Sequence, residues 1–77
     1  MHEITYTAIY EPADEGGYVG FVAELPGANT QGETLEETRE NLKAAIELLL
    51  ECYREEADER FRRSANATKE SLILKGA

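Results

Sequence analysis

The sequence predicts an α+β fold in the order βββαβ, and three features of its 77 residues carry that reading. Residues His2 to Tyr10 and Tyr18 to Leu25 alternate with period two and are rich in β-branched and aromatic side chains, as strands are. The breaks at 11–17 and 26–27 are short and built from Gly and Pro, so they join neighbouring strands as hairpins. At Thr34 the apolar period becomes helical. The expected molecule is a three-stranded antiparallel β-meander packed on one long amphipathic helix, with a short C-terminal strand.

In the first strand Ile4, Tyr6, Ala8 and Tyr10 share one face, and Thr5, Thr7 and Ile9 the other. Glu11-Pro12-Ala13-Asp14-Glu15-Gly16-Gly17 then supplies turn chemistry, with three acids at its tip. The second strand sets Val19, Phe21, Ala23 and Leu25 on one face before Pro26-Gly27 breaks it. Ala28 to Gly32 suits a short third strand or extended loop.

Thr34-Leu35-Glu36-Glu37 fits a capping box, in which the threonine oxygen takes a free backbone N–H and Glu37 reaches back to the N-cap. Losing that cap costs roughly 1 kcal/mol. Apolar residues recur at Leu35, Leu42, Ala45, Ile46, Leu49, Leu50, Tyr53, Ala57 and Phe61, which carries the helix to about Arg63. Glu36, Glu37 and Glu40 suit the positive end of its dipole, and Arg60, Arg62 and Arg63 the negative end. Ser64 to Thr68 is a polar break, after which Ser71-Leu72-Ile73-Leu74-Lys75 is expected to form the last strand.

Residues 1–77 form a single domain with a thin core, since a chain of this size buries only about 60% of its unfolded surface. Cys52 is the sole cysteine and no Cys/His cluster is present, so neither a disulfide nor a structural metal reinforces it. A helix of some 28 residues spans roughly 40 Å, twice the length of a strand. Its overhanging half must bury Tyr53, Ala57 and Phe61 elsewhere, which points to a homodimer or homotetramer. No basic leader followed by an apolar run opens the chain, and no stretch nears the roughly 20 apolar residues that span a bilayer. The expected protein is soluble and cytoplasmic, without membrane contact.

Sixteen acids face eight bases, for a net charge of −8. Residues 1–50 hold ten acids and two bases, whereas residues 51–77 hold six of each. All the excess therefore lies on the first part. Such a surface repels phosphate, which argues against a dedicated nucleic-acid or anionic-membrane binder; it suits a basic protein partner, or serves solubility alone. Arg54, Arg60, Arg62 and Arg63 form the one basic concentration, but Glu56/Arg60, Asp58/Arg62 and Glu59/Arg63 are spaced to pair along the helix.

Catalytic chemistry finds no foothold. His2 is the only histidine and sits beside the initiating Met1, and Cys52 stands within the expected helix between Glu51 and Tyr53, as a buried or incidental cysteine does. Asp14, Glu15, Glu24 and Glu33 lack the spacing of a calcium loop. The Gly pairs lack the strand-to-helix setting of a phosphate loop. Asn66-Ala67-Thr68 matches a glycosylation sequon that a cytoplasmic chain does not use. The expectation is a non-enzyme with no cofactor and no metal.

The run from Val22 to Glu37, with Tyr6 to Tyr10 before it and Asn41 to Ile46 after it, resembles the HicB-like antitoxin family over about residues 4–50. The residues that carry the resemblance are Leu25, Pro26, Gly27, Thr30, Gly32 and Thr34: a Leu-Pro-Gly turn, then a short strand leading to a helix cap. The resemblance implies a partial RNase H-like fold, dimers or tetramers, and a place in a type II toxin–antitoxin module. There the antitoxin blocks HicA, a small basic toxin that cleaves mRNA. Relatives often carry cysteine where this chain has Ala28, and many continue into an operator-binding domain. This chain is expected to be the short form without one.

The expected function is therefore an antitoxin-type binding module that neutralises a HicA-like toxin by protein–protein contact. Asp14, Glu15, Glu24, Glu33, Glu36 and Glu37 are its expected negative surface. The alternative is an orphan oligomeric structural or regulatory domain without a toxin partner. Likeness to RNase H implies no nuclease, because no set of acids here has two-metal spacing.

Overall fold

In the computed structural model, which describes residues 5–74, three strands pair in the order β1-β2-β3 and one helix crosses them. Strand β1 is Ala8–Pro12, β2 is Tyr18–Val22, β3 is Asn29–Gly32, and helix α1 is Leu35–Arg63. Both pairings are antiparallel, with Tyr10 opposite Gly20 and Gly20 opposite Thr30. The meander and the helix follow the sequence expectation, but β2 ends at Val22 and not at Leu25: residues 23–24 turn, and Leu25 packs on the core instead of sharing the outward face of Val19 and Phe21. The first four residues lie outside the described ones, while Glu11 and Pro12 extend β1 into the expected turn. Proline fits there because it ends an edge strand, where a missing N–H breaks no ladder.

Thr34 caps the helix as its composition implies: its hydroxyl oxygen accepts from the Glu37 N–H at 3.0 Å. Among the described residues the Glu37 carboxylate makes no return bond to Thr34, so the capping box is half formed. The core is small. Val22, Ala28 and Leu42 are its fully buried apolar side chains, and Tyr6, Tyr10, Leu25, Ile46 and Leu49 pack around them.

Thr38 has no exposed surface, and its hydroxyl donates to the Thr34 carbonyl at 2.7 Å. It lies over Gly20 and Gly32, where the helix comes so near the sheet that a Cβ on Gly32 would sit 2.6 Å from Thr38 Oγ1. This approach decides which face of β2 turns inward. Tyr18, Gly20 and Val22 meet the helix, whereas Val19 and Phe21 point away and remain over a third exposed, together with Ile9 of β1. A phenylalanine under Thr38 would hold the helix off the sheet.

Two expectations differ from what the described residues show. Within this single chain residues 71–74 carry no strand assignment, and Leu72, Ile73 and Leu74 are each more than three-quarters exposed; Lys75 lies outside the described residues. Helix α1 carries the chain past the sheet, and at Lys69 it is still beside Asp58 and Phe61 of the last helical turns, where no strand edge is offered. Of the three expected helix ion pairs, Glu59–Arg63 forms at 3.4 Å. Asp58 instead meets Lys69, and Glu56 makes no ion pair with Arg60 among the described residues.

Candidate functional site

The register of the sheet gathers acids at one end. Because Pro12 lies opposite Tyr18 and Tyr18 opposite Gly32, the β1–β2 turn, the end of β3 and the start of α1 converge. The turn is closed by Gly16 N–H donating to Ala13 O and Ala13 N–H donating to Gly17 O, both at 3.0 Å. Gly16 and Gly17 adopt φ of 97° and 76°, which L side chains rarely enter. An open cleft of about 380 Å³ results. Glu15 comes from the turn, Glu33 from the loop after β3 and Glu37 from the first turn of α1, with Tyr18 and Gln31 on its walls.

Of the six acids expected to form a partner surface, Glu15, Glu33 and Glu37 are thus brought around one cleft. Asp14 and Glu36 are exposed close by in sequence, in the same turn and the same helical turn, without lining it. Glu24 is elsewhere. It follows β2 at the opposite end of the sheet, about 13 Å of strand away. Its carboxylate accepts from the Thr7 hydroxyl at 2.5 Å and the Thr7 N–H at 2.7 Å. Thr7 O in turn accepts from Ala23 N–H at 2.9 Å, so Glu24 ties the segment before β1 to the end of β2.

The bond from the Thr7 hydroxyl, and then that from its N–H, hold the Glu24 carboxyl below its ordinary pKa. A depressed carboxyl adds stability above its unfolded pKa, and that contribution is lost as pH falls through the folded value. Thr7→Val removes the stronger bond. The gap in urea midpoint between wild type and Thr7→Val is therefore expected to be wide at about pH 7 and to narrow in acid, as pH falls through the folded carboxyl's pKa. An equal gap in acid would show that the carboxylate's charge is not what this contact stabilises.

The residues that carry the family resemblance prove to be folding residues. Pro26 O accepts from the Tyr53 hydroxyl at 3.4 Å, Gly27 takes φ of 98° beside Leu49, Gly32 lies under Thr38, and Thr34 is the cap. Ala28 is 2% exposed, so a small side chain there answers to packing. Tyr18 and Gln31 were not picked out by sequence reasoning. Only the strand register sets them on the walls beside three carboxylates, and no spacing rule reports a register across two hairpins.

An open cleft with three carboxylates and a tyrosine can receive lysine or arginine side chains, whose cations satisfy carboxylates and stack on aromatic rings. Among the described residues no group of three His, Cys, Asp or Glu side chains is placed to hold a metal ion. No helix among them is long and apolar enough to cross a membrane.

A UPF0150 protein of Synechocystis is 51% identical over 45 residues, covering 58% of this chain and 62% of that one. A UPF0150 protein of Thermotoga maritima is 50% identical over 48 residues, 60% of this chain and 63% of the relative. The alignments therefore span less than two thirds of the length of these two relatives. With a UPF0150 protein of Archaeoglobus fulgidus the identity is 39% over 56 residues, 73% of this chain and 81% of that one. No solved structure matches the chain. The family model described as UPF0150-like matches residues 1–54, from the first strand through the part of the helix that packs on the sheet, and the chain belongs to that family.

Proposed function

We propose that this protein is a non-catalytic, antitoxin-type binding module of the cytoplasm that neutralises a small basic, RNA-cleaving HicA-like toxin by protein–protein contact. The observation that carries the reading is the convergence of Glu15, Glu33 and Glu37 on one open cleft. It joins the resemblance to HicB-like antitoxins, with their partial RNase H-like fold, in the residues around Leu25-Pro26-Gly27. Carboxylates held on a turn, a strand end and a helix start meet the cations with which such a toxin grips RNA, and occupying those cations removes its substrate site. The negative field also speeds encounter. The module acts as a homodimer or homotetramer and makes no direct contact with nucleic acid.

Co-expression with the small Lys/Arg-rich protein encoded beside it tests this. The pair is expected to co-purify at moderate salt, and growth arrest by the partner is expected to be relieved. Persistent arrest, or no complex, overturns the proposal in favour of an orphan structural or regulatory domain. The exposed sheet face bearing Ile9, Val19 and Phe21 favours that second reading.

A further inference from the structure

The half of α1 beyond the sheet takes no part in the cleft. From Glu51 to Arg63 every residue is exposed. The face that carries Leu42, Ile46 and Leu49 to the core continues past the sheet as Tyr53, Ala57 and Phe61, four residues apart and so one above another. Tyr53 is 45% and Phe61 36% exposed. A groove of about 490 Å³ lies against Tyr53 and Ala57, flanked by Glu56, Glu59, Arg60 and Arg63, with Phe61 outside its lining. Past the helix the chain turns back, with Lys69 Nζ 4.9 Å above the Phe61 ring, and continues into the uncovered Leu72, Ile73 and Leu74.

The surface area measures how much is left uncovered. A compact monomer of 8.6 kDa exposes about 4,700 Å². This chain exposes 6842 Å². Its radius of gyration is 16.2 Å, against about 11.5 Å for a compact domain of this length. The surplus of about 2,100 Å² is more than twice the roughly 800 Å² that each partner gives to a standard interface.

We infer that a second copy of this chain covers the stripe, the overhanging halves of two α1 helices lying antiparallel about Ala57 and residues Leu72–Leu74 closing over the junction. The stripe is self-complementary in the way a two-fold interface requires. Its centre is a small residue that lets two helices approach, and its ends are aromatic, so a two-fold axis at Ala57 sets Tyr53 of each copy towards Phe61 of the other. Glu56 and Arg60 flank the same groove and form no ion pair within the chain among the described residues. The same axis brings each copy's Glu56 near the other's Arg60. The pairing names the surface behind the oligomer proposed above, and it holds or fails independently of the toxin.

Sedimentation equilibrium on the full chain reads it directly. A dimer is expected at about 100 µM. Ala57→Arg, which keeps a good helix former, is expected to weaken dimerisation at least about 30-fold with helicity by circular dichroism unchanged, and Ile73→Asp about 10-fold. Leu48→Lys lies nine residues and so about half a rotation from Ala57 on the opposite side of the helix, and is expected to change nothing. A monomeric wild type, or an Ala57→Arg variant that dimerises as wild type does, overturns the inference. So does a loss caused by Ile73→Asp alone, which would place the tail on a sheet edge, or by Leu48→Lys, which would place the contact on the other helix face.

Discussion

Gly32→Ala is expected to lower stability by about 3 kcal/mol, at the upper end of what overpacking costs. The new Cβ would stand 2.6 Å from Thr38 Oγ1, 2.8 Å from Thr38 N and 3.1 Å from Thr38 Cα. A rotating hydroxyl can leave, but a backbone nitrogen inside a capped helix cannot move without the helix. The helix must therefore lift from the sheet, opening contacts around Leu42 and Val22. For a domain of this size that loss lowers Tm by more than about 10 °C. Gly16→Ala serves as the comparison: its φ of 97° is strained for alanine, yet nothing lies within 4 Å, so it should cost only about 1 kcal/mol. Thermal unfolding of both variants separates steric contact from backbone strain. Adding Thr38→Ala to Gly32→Ala should recover only part of the loss, because it removes Oγ1 and leaves the backbone nitrogen in place. Full recovery would mean that the hydroxyl was the whole obstacle and that the helix backbone had room.

Reversing the three cleft acids together, with Glu15→Lys, Glu33→Lys and Glu37→Lys, is expected to abolish neutralisation of the basic toxin while leaving the fold intact. Each carboxylate is solvent-exposed, so losing it strands no buried partner. A lysine at 37 opposes the helix dipole by about 0.3–1 kcal/mol, well below the stability of a folded domain. Like charges across an interface cost several kcal/mol, and each 1.4 kcal/mol is about tenfold in affinity, so binding should weaken by at least about 100-fold. Most of the early loss belongs to the association rate, which for wild type should fall as salt rises. Stopped-flow association at low and high salt, beside growth rescue, checks both. Glu24→Lys reverses one acid at the far end of the sheet and should reduce rescue far less than reversing one cleft acid does. If the triple variant still neutralises while Phe21→Lys does not, the toxin sits on the outer sheet face and the cleft assignment is wrong.

The order of strands and helix, the cap at Thr34 and the reach of the helix to Arg63 were legible because each is a local pattern: alternation, helical recurrence, or a hydroxyl before a run of acids. The last strand was expected on the same local ground, and this single chain does not show it. Leu72-Ile73-Leu74 has strand composition, but a strand exists only when an edge is within reach, and the chain leaves the sheet along α1 before those residues begin. Phe21 and Val19 show the converse case. They share a face as expected, although Leu25, expected beside them, packs on the core past a turn, and nothing in their side chains says which face turns inward; Gly20 decides that, by admitting Thr38.

What this sequence determined by itself is the set of elements, the charge confined to residues 1–50 and the turn residues that carry the family resemblance, because these rest on neighbours within a few positions of the chain. Only the tertiary structure decided which acids share a cleft. Glu15, Glu33 and Glu37 are separated by a hairpin and a helix cap, and the pairing of Tyr18 with Gly32 brings them together; the same register leaves Glu24 at the other end, bound to Thr7. The physical reason is that antiparallel pairing converts distance along the chain into position along a strand. Charge identity is a property of composition, and charge proximity is a property of register.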